Sequence, residues 1–214
     1  QERMITQEQF EDLKKHEVNS WALWDEKGLG DVEFFKYNID KLHFNVIFTG
    51  LNPSVSRHNP DDKRIPEFTN FHTLSNAGDK KLHSYIQKNE LTYLIGAFMT
   101  DLSVKRESNS NQVTINETSL EEFLMKIKSL SSSSEEGHII CFGNDSYNAL
   151  LKYFISHNEK TLTYNIKYFR IELDERPFNI YRVWHYSPRG YNNKYVEELE
   201  NQLKFLNNKF INSI

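Results

Sequence analysis

The chain has 214 residues, 38% hydrophobic and 26% charged, which is enough to bury a core and fits a single globular domain. Its net charge of −4 excludes a broadly basic nucleic-acid-binding surface, although it leaves room for a local basic cleft. Cys141 is the only cysteine, which excludes an internal disulfide framework, and no apolar window is long enough for a membrane span. No apolar signal core opens the amino terminus, so a cytosolic location is expected.

The spacing predicts a first helix over residues 6–17, with Thr6 as its cap, Gln9 three residues on, and Phe10 and Leu13 as its apolar stripe. Trp21, Leu23 and Trp24 read as anchors that pack this amino-terminal segment, residues 1–44, onto the body. Gly28-Leu29-Gly30 marks a turn. It lacks the strand-glycine-helix context of a phosphate loop.

Val46-Ile47-Phe48-Thr49 reads as a buried strand that breaks into Gly50-Leu51-Asn52-Pro53-Ser54. The plainest reading of that break is a strand followed by an Asn-Pro turn. A polar loop over 54–70 follows, long enough to suggest a functional role. It carries Arg57, His58, Lys63 and Arg64. A helix with Leu82, Tyr85 and Ile86 on its apolar face is predicted to begin near Gly78-Asp79. Residues 94–98 form the next predicted strand, ending at Thr100-Asp101.

Residues 103–118 read as loop. Ser119 is expected to cap a helix whose core face is Leu120, Phe123, Leu124, Ile127 and Leu130. A serine-rich connector leads to a strand over 138–142, in which Cys141 reads as a small buried hydrophobe. Gly143-Asn144-Asp145-Ser146 then turns into a helix with Asp145 or Ser146 as cap and Ala149, Leu150, Phe154 and Ile155 as its apolar side. Residues 162–173 alternate like an antiparallel edge strand or arm. A last central strand over 178–184 runs into His185-Tyr186-Ser187-Pro188-Arg189-Gly190. The final helix, residues 193–210, buries Leu199, Leu203, Leu206 and Phe210.

Strands alternating with helices imply an α/β fold, expected here as a three-layer sandwich with a central, mostly parallel four-stranded sheet flanked by helices. The two candidate motifs fall at the carboxyl ends of two strands, where such folds bind ligands. If they meet, Arg182, His185 and Arg189 join the basic residues after the first motif in one local cleft.

Gly50-Leu51-Asn52-Pro53-Ser54 resembles the first motif of the uracil-DNA glycosylase superfamily, especially the mismatch-specific branch, which has Gly-Ile-Asn-Pro-Gly there. His185-Tyr186-Ser187-Pro188 resembles the second, usually His-Pro-Ser-Pro, and 142–147 looks like the strand-to-helix turn between them. Order and spacing fit over residues 45–201; the first 40 residues and the 158–176 arm lie outside the resemblance. Two departures stand out: Ser54 replaces Gly, and Tyr186 replaces Pro beside the histidine, where greater bulk would alter which base fits.

The resemblance implies a monofunctional DNA glycosylase acting on uracil or another modified base. Asn52 would orient the attacking water and His185 would donate a hydrogen bond to the leaving base, an effect of about 3–4 kcal/mol in the transition state. An amide is a weak general base, so turnover would be modest. Phe71 would stack on the extruded base. Gly50, Leu51, Asn70 and Asn144 would line its pocket, with Thr100 and Asp101 as further candidates. Ser54, Ser187 and Arg189 would hold the DNA backbone.

No lysine occupies an evident nucleophile position, so no strand cleavage is expected. Neither a metal nor another cofactor is implied, since the histidines lack paired ligand spacing. The expected partner is DNA, single- or double-stranded, with no membrane and no obligate protein partner, and a monomer is expected. Repair and defence against foreign modified DNA are both open as roles. Two other readings stay open: a non-catalytic nucleic-acid-binding protein on the same fold, and a nucleoside or nucleotide hydrolase.

Overall fold

The computed structural model describes residues 5–16, 18–52, 77–103, 113–130, 135–186 and 193–213. It has an α/β fold in which one sheet carries the chain's strands in the order β1-β3-β2-β4-β7-β6-β5. These are β1 (Ser20–Trp21), β2 (His43–Gly50), β3 (Ala97–Asp101), β4 (Gly137–Phe142), β5 (Lys160–Thr161), β6 (Lys167–Leu173) and β7 (Arg176–Val183). The sheet is wider than the four strands expected, and it is mixed. β3, β2, β4 and β7 are neighbours that run parallel, whereas β1, β6 and β5 add antiparallel strands at the two sides.

The extra width has identifiable sources. Trp21 acts as more than an anchor: with Ser20 it pairs Phe98 and Met99, so the amino-terminal segment extends the sheet. The 158–176 arm becomes a hairpin, with β5 pairing β6 and β6 pairing β7 over its full length. β6 is therefore an interior strand, and β5 is the edge. Two-residue strands leave almost no periodicity to read, which is why neither β1 nor β5 was foreseeable from pattern.

Helices cover both faces. α1 (Gln7–Lys14), α2 (Val32–Tyr37), α4 (Glu117–Leu130) and α5 (Asn144–Tyr153) share one buried cluster with Ile47, Phe98, Ile139, Cys141 and Ile180. α3 (Ala77–His83), the π-helical turn after it (Ser84–Lys88) and α6 (Asn193–Asn212) share another with Val46, Phe48, Met99, Ile140, Phe142 and Val183. Alternate residues of β2, β3, β4 and β7 thus point to opposite faces, as the pleat requires. The predicted core faces of α4 and α6 are buried, as is Cys141, whose thiol burial pushes far up its ordinary pKa.

Several predicted caps and ends move. Thr6 and Gln9 form the expected capping box. At α4 the capping side chain is Asn116 rather than Ser119: its Oδ1 accepts the Ser119 N–H at 2.9 Å, and the helix begins three residues early. At α5 neither Asp145 nor Ser146 caps. Gly143 holds that position with φ +84° and no side-chain cap, while Ser146 Oγ donates back to the Phe142 carbonyl at 3.3 Å. Ile155 lies beyond the helix in a left-handed conformation and is exposed. The predicted strand at 94–98 begins only at Ala97, because Gly96 turns the backbone at φ +79° just before it.

Phe10 and Leu13 belong to the same buried cluster as Ile47, so the cap of α1 bears on the whole fold. Thr6→Ala should lower the free energy of urea unfolding by about 1 kcal/mol, while Thr6→Ser should restore most of it.

Candidate functional site at the carboxyl ends of the parallel strands

β2 hydrogen-bonds to β3 on one side and β4 on the other, all parallel. The chain leaves β2 towards β3 and leaves β4 towards β7, in opposite directions. The gap between the ends of β2 and β4 is therefore a topological switch point, the place where open α/β sheets bind ligands. Gly50-Leu51-Asn52 lies on one side of it, Gly143-Asn144 on the other, and His185 follows the end of the next strand, β7. With β4 between them, the ends of β2 and β7 are about 10 Å apart, two strand spacings.

Four rings connect the motifs. Phe48 stacks on Phe142 (centroids 5.3 Å, 13°), Tyr186 meets Phe142 edge-on (5.0 Å, 90°), and His185 stacks on Tyr186 (4.5 Å, 26°). Tyr186 is buried in the α6-side core, so the residue that departs from the family pattern supports the imidazole from behind. Gly143 completes the support: a Cβ there would meet His185 Cβ at 3.6 Å, and the left-handed φ would strain any other residue.

Gly50 does more than turn the chain. A Cβ there would lie 2.6 Å from Asp101 Oδ1, so the missing side chain makes room for that carboxyl. Asp101 ends β3, pairs Gly50 in register and accepts a hydrogen bond from its backbone. The Leu102 and Ser103 amides donate to the Gly50 and Leu51 carbonyls at 3.0 and 2.9 Å, which fixes the first motif against β3. Burial raises the Asp101 carboxyl to about 7, against the opposing pull of Lys126. Burial likewise lowers Lys126 to about 8, and its ammonium donates to Asn19 Oδ1 (3.0 Å) and Thr100 Oγ1 (3.1 Å). Sequence reading singled out Asp101 and Thr100 but missed Asn19 and Lys126, which reach this corner from distant segments with no motif around them.

Asn144 opens α5 near the switch point, but its Oδ1 accepts from Arg182 Nη1 at 3.2 Å, so that oxygen is engaged by the sheet instead of facing a ligand alone. Arg182 Nη2 also donates to the Asn165 carbonyl at 2.6 Å, and its guanidinium lies over Trp184. Sequence reading placed Arg182 in a basic cleft; it is instead 5% exposed and tied into the fold. Ser54, Asn70, Phe71, Ser187 and Arg189 lie outside the described residues, as does the 54–70 loop with its basic cluster.

Among the described residues, no group of three or more His, Cys, Asp or Glu side chains could hold a metal ion, and no helix is long and apolar enough to cross a membrane. Cavities of about 520 and 220 Å³ lie elsewhere, the larger beside Trp24 and His83 and the smaller beside His138 and Tyr181. Neither is lined by Asn52 or His185.

No protein-family model matches the chain, and no curated protein matches it. The likeness to the glycosylase superfamily therefore rests on the residues of the three motifs and their order.

The Asp101 carboxyl holds its proton more tightly in the folded chain than in the unfolded one, where its value is about 3.8. Folding stability should thus fall as pH rises from about 4 to about 7. Asp101→Asn should remove that fall, as read by urea melts across the range. Gly50→Ala, which displaces the carboxyl, should cost about 1–3 kcal/mol at any pH.

Proposed function

We propose that the chain is a monofunctional DNA glycosylase that removes uracil or another modified base extruded from DNA. The observation that carries this reading is the convergence of Gly50-Leu51-Asn52 and His185 at the carboxyl ends of parallel strands around one switch point. Helices on both faces of the sheet support assigning it to a three-layer sandwich of the superfamily kind.

The chemistry follows from the residues. Water adds to the sugar carbon as the bond from that carbon to the base nitrogen breaks; the base departs as an anion with the bonding electrons, and the proton released by the water passes to solvent, from which the base is reprotonated. The Asn52 carboxamide oxygen accepts a hydrogen bond from the water and aligns it. His185 donates to the oxygen of the base as negative charge gathers there. Its ring stacks on the buried Tyr186, which limits the reorganisation that accompanies the reaction. The half-buried Lys126 amine is engaged by Asn19 and Thr100, in keeping with base release without strand cleavage.

The test is base release from end-labelled oligonucleotides carrying uracil, hypoxanthine, thymine mismatches, or hydroxymethylated or glucosylated cytosine, followed by alkali to cut abasic sites. Release at one modified position is expected, without strand breaks before alkali. His185→Ala should slow it by about 10²–10³-fold, and Asn52→Ala should abolish it, both with unchanged circular dichroism. Unchanged release from both variants would falsify the site. Salt-sensitive DNA binding with no product from any oligonucleotide would favour the non-catalytic reading.

A further inference from the structure

The β5–β6 hairpin, outside the residues that carry the family resemblance, ends in an unusual tip. Thr161 pairs Lys167, and the Leu162 amide donates to the Ile166 carbonyl at 2.7 Å, so the loop between them is short. Within it Tyr164 and Asn165 are both left-handed, with φ +59° and +57°. For a tyrosine this conformation is costly, and it persists only where the surroundings enforce it.

Two buried side chains enforce it. Gln202 of α6, 0% exposed, donates to the Tyr164 carbonyl at 2.9 Å while accepting from the Trp184 amide at 2.8 Å. Arg182 donates to the Asn165 carbonyl and to Asn144, the first residue of α5. Each side chain thus bonds the hairpin tip with one end and a residue adjoining the candidate site with the other. The position follows from register and from Gln202: β6 and β7 pair Lys167 with Arg182, which sets the hairpin tip at the carboxyl end of β7, and Gln202 ties the Tyr164 carbonyl to the amide of Trp184, the residue before His185.

At that position Tyr164 is 44% exposed, with its ring edge-on to Phe205 (6.1 Å, 73°). The Trp184 ring is 4.6 Å from the Tyr195 ring, and Tyr195 is itself 38% exposed. These exposed aromatic rings lie near the carboxyl end of β7, the strand that leads to His185, and that of Tyr164 sits on a left-handed, pinned backbone; neither serves an evident need of the core. The charged neighbours offer little to phosphate: Lys167 pairs with Glu159 and Lys204 with Glu200. The surface is suited to ring faces.

We infer that Tyr164 and its hairpin tip form a stacking platform for an unpaired nucleobase of single-stranded nucleic acid running past His185. This rests on the glycosylase reading for its substrate class, and it adds a contact that the motifs do not contain. Stacking is tolerant of base identity and insensitive to salt, so the platform contributes affinity rather than selection of the excised base.

The test is fluorescence anisotropy of the full chain with a labelled single-stranded oligothymidylate of about 12 nucleotides, a length typical of single-strand sites. Tyr164→Ala should weaken binding by about 5- to 150-fold, the range for one base stacked on one ring. Tyr164→Phe, which keeps the ring, should remain within about twofold of the original chain, and both ratios should be the same at low and raised salt, because the contact is not to phosphate. Tyr164→Gly, which relieves the left-handed strain, controls for folding and should weaken binding as Tyr164→Ala does. Binding by Tyr164→Ala within about twofold of the original chain, a loss that disappears at raised salt, or no binding by the original chain would each overturn the platform. Failure of every oligonucleotide to lose a base, with Tyr164→Ala still impaired in binding, would sink the chemistry and leave the platform standing.

Discussion

Because β2 is hydrogen-bonded on both sides by parallel strands, its carboxyl end cannot be followed by a hairpin. The chain must cross over, once towards β3 and then back past β2 to β4. That constraint opens a crevice whose walls are strand ends rather than side chains. Everything at the candidate site inherits its position from it: Gly50 and Asn52 from β2, Asp101 from β3, Gly143 and Asn144 from β4, and His185 from β7. Loops held by a rigid sheet can vary in composition without losing their relative placement, which is why such ends suit chemistry.

The crevice is stiffened by two different kinds of contact. On the β7 side the support is apolar, a run of rings from Phe48 through Phe142 and Tyr186 to His185. On the β3 side it is polar: Asp101, Thr100 and Asn19 are buried, and the half-buried Lys126 donates to Thr100 and Asn19. Charges drawn out of water near each other add little net stability once their desolvation is counted. Their value here is geometric. They fix the end of β3 against the first motif and leave a carboxyl and an amine that titrate close to neutrality.

The sequence made the parallel centre legible because four apolar runs are each long enough to carry a strand signal and each ends in a loop signal. The caps were half legible. Thr6 with Gln9 forms a two-residue signature that few other structures satisfy, whereas Ser119 was one of several polar residues near the start of α4, and Asn116 proved to be the acceptor. What remained invisible was set by tertiary pairing. β1 and β5 are two residues each, and the π-helical turn after α3 gives no pattern of its own. At the site, residues with motif neighbours were found, and those that arrive from afar, Lys126, Asn19 and Gln202, were not. Arg182 was read as a cleft cation because charge is visible in sequence, and the 5% exposure that removes it from the cleft is not.

The hairpin tip has a further implication for how this chain can vary. β6 pairs β7 without interruption from Lys167 to Leu173, so its facing is locked, and the loop beyond it is closed by paired residues on both sides. One inserted or deleted residue would turn every later side chain of the arm to the opposite face and detach the carbonyls that Gln202 and Arg182 hold. Replacing the exposed ring at position 164 disturbs neither. Exchanging the residue at position 164 therefore leaves the arm's pairing intact, whereas a shift of register within β6 would not.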